Sequence, residues 1–330
     1  MEKEKFVKGV EHLINPIDVG SLHFIQSFNK LLPRVIQDQF VKASGKSTPF
    51  MGFVVEPYAT FFCYEILNIE EAQKLLPDGF RLIKTRIYEN DDPKYLCIFG
   101  CFNAHTSAFW GARVEFYIIA EDIKTGLLSW IIVDYDSNTI SYDKRDGLRD
   151  PNVKNGVVTT DWEGKVLIDM PREDKSRELV ADCDLKNGKF VSLDQRLWLE
   201  GNLSIGYSSE FDKKDASIFS LKFNPEEVNR GMEIPLNDVL VKKNSWYPGL
   251  FNSSLHRVIV FPYAQHFISD SPGSSSNLKN REELEKSISN IDFNNIRVFS
   301  SKSFKVMFLI GSIVSLLVTI SLLVLFILKM

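Results

Sequence analysis

From about residue 50 to residue 268, short apolar or alternating runs follow one another with turn residues between them. "FMGFVVEP", "ATFFCYEIL", "FRLIKTRIY", "KYLCIFGCFN", "ARVEFYIIAED" and "LLSWIIVDYD" each have a strand's length and carry the β-branched and aromatic residues that strands favour. "GKVLIDM", "ELVADCDL", "LWLEGNLSIGY", "SIFSLKF" and "RVIVFPYA" continue the series. Lys124-Thr125-Gly126 and Asn187-Gly188 read as hairpin turns. A helix interrupts at "NIEEAQKLLPDGF", with acids in its first turn and Pro77 and Gly79 ending it. Many strands with short connections predict a mainly β fold: a closed antiparallel barrel or sandwich with a few short helices.

The flanks follow other rules. In "SLHFIQSFNKLLPRVIQDQFVKA" the apolar positions recur with helical spacing, and Pro33 should kink or split the segment. Residues 1–49 are thus an N-terminal helical segment before a β-rich domain at 50–270. Residues 271–303 read as a flexible tether, because "SDSPGSSSNLKN" is too polar to pack a core. Within it "REELEKSISNI" predicts a short helix. In residues 304–330, Val306 to Leu328 contains no charge. A helix of that length reaches roughly 35 Å, enough for a hydrocarbon core of about 30 Å. The expected partner of this stretch is the lipid bilayer. Arg297, Lys302 and Lys305 precede the span and only Lys329 follows it, which places the large N-terminal domain in the cytoplasm. "MEKEKFVKGVEHLINP" has no apolar h-region, so a single-pass, tail-anchored membrane protein is expected.

Composition narrows the chemistry. The net charge of −4 lacks the basic excess that marks nucleic-acid binders, so no such partner is expected. The 25 phenylalanines, with 10 tyrosines and 5 tryptophans, suit a large core and an apolar pocket. The four cysteines are too few and scattered for a disulfide scaffold.

A strand ending "FFCYEIL", a helix closing in "LLPDGFRL" and then long hairpins resemble the acetoacetate-decarboxylase-like superfamily over roughly Phe50 to Tyr207. The resemblance implies a closed, cone-like barrel around a small apolar cavity. In the family's decarboxylases it implies a Schiff-base lysine whose pKa a neighbouring lysine depresses. Their Gly-Arg-Glu and Pro-Lys-Lys signature would fall just after "SWIIVDYDSNTI", where this chain reads "SYDKRDGLRDPNVK" and has neither. Lys144, beside Arg145, is the nearest cationic pair, and Glu115 is the counterpart of the family's strand glutamate.

Other chemistries leave less. Asp134-x-Asp136-x-Asn138 opens like a calcium loop, but Thr139 and Arg145 stand where Gly and the bidentate Glu are required. Cys97, Cys101 and His105 are spaced by four, and on a strand they spread over about 13 Å per step, too far for one zinc ion. No metal, phosphate loop or dinucleotide fingerprint is indicated, and no cofactor is expected. Arg113 and Glu115 alternate and so share one strand face; Tyr117 continues it and Trp110 precedes it. Facing inward, they would need each other or a ligand carboxylate. Trp130, Ile132 and Asp134 would share one face of the next strand.

The ligand-binding residues expected are therefore Trp110, Arg113, Glu115, Trp130 and Asp134, and the catalytic candidates are Lys144 and Glu115. The expected function is a membrane-tethered barrel binding a small organic acid or apolar metabolite. The alternatives are a Schiff-base lyase of acetoacetate-decarboxylase type and a non-catalytic scaffold that binds another protein.

Overall fold

The computed structural model describes residues 2–29, 31, 33, 51–106, 109–143, 147–208, 219–269, 278–296 and 302–329. Nine strands position the site: β1 (Met51–Val55), β2 (Ala59–Glu65), β3 (Lys94–Thr106), β4 (Trp110–Asp122), β5 (Leu128–Ser137), β6 (Ser204–Tyr207), β7 (Phe219–Phe223), β8 (Arg257–Phe261) and β9 (Gln265–Ser269). Seven of them close a ring in the order β3-β1-β9-β7-β6-β5-β4 and back to β3, while β2 and β8 extend the sheet from the free part of the β3 edge. Of the two predicted forms the chain takes the barrel.

Ring neighbours run antiparallel except β5 and β6, which are parallel. The cause is the long excursion between them. Parallel strands need a crossover, and here it carries three strands of a second sheet, Val157–Thr160, Lys165–Pro171 and Glu178–Asp184. That sheet, completed by Val239–Asn244, covers the barrel's outside. Period-two alternation then splits the strands between two cores. Ile98, Phe102, Trp130 and Ile132 point inward, while Phe99, Phe116 and Ile131 pack outward with Ile168, Met170 and Leu179 of the second sheet.

The helices are α1 (Glu2–His12), α2 (Pro16–Asn29), α3 (Ile69–Lys74), α4 (Arg281–Ser289) and α5 (Lys302–Lys329). α3 is the predicted interior helix, capped by Asn68, whose Oδ1 accepts from the Glu71 amide at 3.2 Å. The N-terminal helical pattern divides at Asn15-Pro16, where the Asn15 Oδ1 accepts from the Ile17 amide at 2.9 Å, and α2 ends before Pro33. α1 docks on the barrel through Phe6 and Val10 against Val54 and Ile268. α4 lies where a flexible tether is expected, yet its Leu284 is fully buried in the inner core, with Leu278 and Ile288 packed beside it. Leu284 anchors this helix, and Arg281 adds an ion pair with Glu226. In α5, Phe308–Leu328 is long and apolar enough to cross a membrane, and none of it is buried in the protein.

Two local expectations fail. "LWLEGNL" is helical, not strand: Asp194 caps it by accepting from the Leu197 amide at 2.9 Å, and Gly201 lets the turn approach the Trp130 ring. Asn187-Gly188 is a turn without a hairpin, because Lys189–Ser192 pairs with Arg230–Glu233 and leaves Glu178–Asp184 in the other sheet.

Candidate functional site

The barrel encloses a cavity of about 120 Å³ to which every strand of the ring contributes inward residues. Its wall is largely aromatic, with Phe53, Phe102, Trp130, Tyr207, Phe219 and Phe267 among the residues that form it. Gly100 keeps the interior open. It lies opposite Phe61 on β2 and Glu115 on β4, and a Cβ there would stand 3.1 Å from both the Phe61 and Tyr117 rings.

Polarity inside the cavity is concentrated on β4, where Arg113, Glu115 and Tyr117 point inward at alternate positions. Arg113 and Glu115 are both buried, at 5% and 7% exposure. The Arg113 Nε donates to one Glu115 oxygen and the Tyr117 hydroxyl donates to the other. Arg113 Nη1 donates to the Ser141 Oγ at 2.8 Å, and the guanidinium lies 3.8 Å from the centre of the Tyr135 ring. Burial opposes the Arg113 charge, but the adjacent Glu115 carboxylate more than compensates, so the guanidinium sits above its ordinary range and stays cationic. Burial first, then the Glu115 charge, push the Tyr117 phenol well above its ordinary range, so it keeps its proton. The result is a neutral pair fixed by donors on both carboxylate oxygens. Arg113 Nη2 has no protein acceptor among the described residues.

The sequence candidates divide. Arg113, Glu115 and Trp130 line the cavity together. Trp110 does not: it is an odd number of positions from Arg113, lies on the outer face, stacks on His105 at 4.7 Å and is 36% exposed. Asp134 also leaves the expected face. Phe116 pairs with Asp134 but Tyr117 with Ile132, so Val133 is an extra residue in a bulge that reverses the alternation. Asp134 therefore points outward, where it binds Arg177 and accepts from the Tyr247 hydroxyl at 3.4 Å. Asp136, fully buried, accepts from the same Arg177 at 3.1 Å and from Asn152 at 2.8 Å. Lys144 and Arg145 lie outside the described residues. Among the described residues no lysine lines the cavity.

Cys97 and Cys101 lie on the outward face of β3, and their thiols are pushed up by burial. His105 shares that face but pairs with Glu56 at 2.6 Å. Among the described residues no cluster of His, Cys, Asp or Glu is arranged to hold a metal ion.

Sequence reasoning missed most of the wall, three residues of it because their elements were misread or overlooked. Gln265 sits on β9, a strand absent from the predicted series; its Nε2 donates to the Glu227 carbonyl at 3.0 Å. Trp198 and Asn202 come from the turn read as a strand. The only available signal was the "QHFIS" alternation, too short and polar to stand out.

No protein-family model matches the chain, and no curated protein matches it. Among solved structures it is similar to acetoacetate decarboxylase from Legionella pneumophila subsp. pneumophila, with 10% identity and a TM-score of 0.44. That match covers 68% of this chain and 86% of the other. The likeness is distant.

Proposed function

We propose that the barrel binds a small, mainly apolar organic molecule carrying one carboxylate or carbonyl oxygen, with Arg113 as its anchor. The observation that carries this reading is Arg113 Nη2: a donor on a buried cation, without a protein acceptor among the described residues, at the wall of an aromatic cavity. Such a donor gains most from an acceptor brought by a ligand. The volume of about 120 Å³ limits the occupant, since a cavity of about 150 Å³ accommodates benzene. Compounds no larger than benzene, such as four-carbon acids and ketones, are the best match. The Arg113–Glu115 pair is already neutral, so a neutral carbonyl compound leaves the charge balanced and an acid adds one negative charge.

α5 is the membrane anchor of this reading. Lys302 and Lys305 precede its apolar section, and the binding domain lies on the cytoplasmic side. A Schiff-base lyase needs a lysine at the cavity, where none stands among the described residues, and a scaffold has no use for an open interior, so neither alternative gains support from the described wall.

Calorimetric titration with butyrate, butanone and benzene tests the binding. Losing a charged hydrogen bond of about 2 kcal/mol weakens butyrate roughly thirtyfold. The variant to use is the double replacement Arg113→Met with Glu115→Met, which leaves no unpaired charge. Benzene should bind wild type and variant alike. Failure of all three compounds to bind, or equal butyrate affinity in the variant, would refute the reading.

A further inference from the structure

α5 has a neighbour. The Phe24 ring of α2 meets Phe308 edge-on, with centroids 6.5 Å apart and planes at 74°. Between the two helices runs a groove of about 600 Å³ whose floor is set by the small residues Gly20, Ser21 and Ser312 and whose sides are Phe24, Phe308 and Leu309. A Cβ on Gly20 would meet nothing within 4 Å, so its own helix leaves the groove unfilled. The other side of α2 is already committed to the barrel: Val19 and Gln26 are buried, and the His23 Nε2 stands 3.4 Å from the Thr139 Oγ1. The groove therefore faces away from the barrel. Ile17 and Phe24, on its side of α2, are 70% and 56% exposed.

Among the described residues one cation, Lys305, stands at the groove's end and no acidic residue lines it. Lys305 precedes the apolar section Phe308–Leu328 by three residues, a rise of about 4.5 Å. With α5 as a membrane span, that height is the boundary between headgroups and acyl chains. We infer that the groove binds one glycerophospholipid of that bilayer, an acyl chain lying between Phe24 and Phe308 and the phosphate meeting the Lys305 ammonium. The inference rests on reading α5 as a membrane span. Apolar walls at acyl depth and the Lys305 cation at headgroup depth match the two parts of a phospholipid in the right order. Bound in this way, α2 lies in the interface with Ile17 and Phe24 toward the lipid, and ties the barrel to the bilayer surface.

The test uses the full chain in vesicles of dioleoylphosphatidylcholine doped with a phosphatidylcholine bearing a diazirine on one acyl chain. After irradiation, adducts are mapped by peptide mass spectrometry. Adducts should concentrate on Gly20–Phe24 and Phe308–Ser312. Gly20→Leu, which fills the groove, should remove those on α2, while Val318→Phe, further along the span, leaves them. Lys305→Gln should lower groove labelling and leave labelling of the rest of the span unchanged. Adducts spread evenly along Phe308–Leu328 with α2 unlabelled would overturn the inference while leaving the span intact. So would a dimer, trapped in a parallel sample by a bifunctional amine cross-linker, that Gly20→Leu abolishes, because the groove would then hold a second copy. Absence of adducts from the span itself would overturn the membrane reading, and this inference with it.

Discussion

Arg177 holds two carboxylates that would otherwise face each other on the barrel's outer wall. Its guanidinium donates to Asp134 and Asp136 and lies 4.2 Å from the centre of the Trp246 ring. Burial works against its charge, yet the two carboxylates hold its pKa above the ordinary range. Removing the cation strands Asp134 and leaves the fully buried Asp136 with Asn152 and a more distant Arg172 at 3.7 Å, so Arg177→Ala should cost about 3 kcal/mol in urea unfolding. Replacing Arg177, Asp134 and Asp136 together by Met, Asn and Asn should recover most of that loss. If the triple variant is no more stable than Arg177→Ala, the penalty is lost packing on Trp246. At this scale Arg113 and Glu115 were legible because alternation on one strand fixes their common face. Asp134 was misplaced because a single extra residue, Val133, inverts the parity, and no residue type in "IIVDYD" announces a bulge.

Elements were legible where alternation ran long and failed where it was short or interrupted. β3 and β4, 13 residues each, follow the predicted runs closely. β9 escaped notice because its outward positions include a histidine, and only the folded structure supplies that histidine's partners. The His266 Nδ1 stands 3.1 Å from a Glu227 oxygen, and its Nε2 stands 3.2 Å from Glu11 of α1. Burial alone would lower the imidazole's pKa, but Glu227 and Glu11 together raise it above 6.5. A raised folded value means the charged bridge stabilises α1 fully below the unfolded value and is lost as pH rises through the folded one. Protection of the α1 amides in hydrogen exchange, corrected for intrinsic rates, should therefore fall as pH climbs above 6.5. His266→Gln should flatten that slope; an unchanged slope would show that the bridge does not hold α1. α4 allows a packing test, because Leu284 is its one fully buried side chain. Leu284→Ala should cost about 2–5 kcal/mol, whereas a loose tether would lose nothing measurable.

For the whole molecule, the hydrophobic pattern anticipated a barrel and an apolar terminal helix, but not which flanking helices belong to the barrel. The flanks already differ in sequence, an N-terminal segment with one apolar helical face against a terminal stretch, Val306 to Leu328, with no charge on any face. Their burial separates them. α1 contributes Phe6 and Val10, at 2% and 0% exposure, to a core shared with β1 and β9. The apolar section of α5 buries nothing in the protein. Deleting residues 302–330 should then remove less than about 0.5 kcal/mol from the barrel and shift its Tm by no more than about 2 °C. Butyrate binding should survive, since among the described residues none of α5 reaches the cavity wall. Deleting residues 1–14 instead removes Phe6, Val10 and the Glu11 partner of His266, and should cost about 4 kcal/mol or more. Differential scanning calorimetry of both truncations in the same buffer checks the contrast. Equal Tm losses would mean that the α2–α5 contact stabilises the barrel as much as α1 does, and α5 would then be a structural helix of the domain.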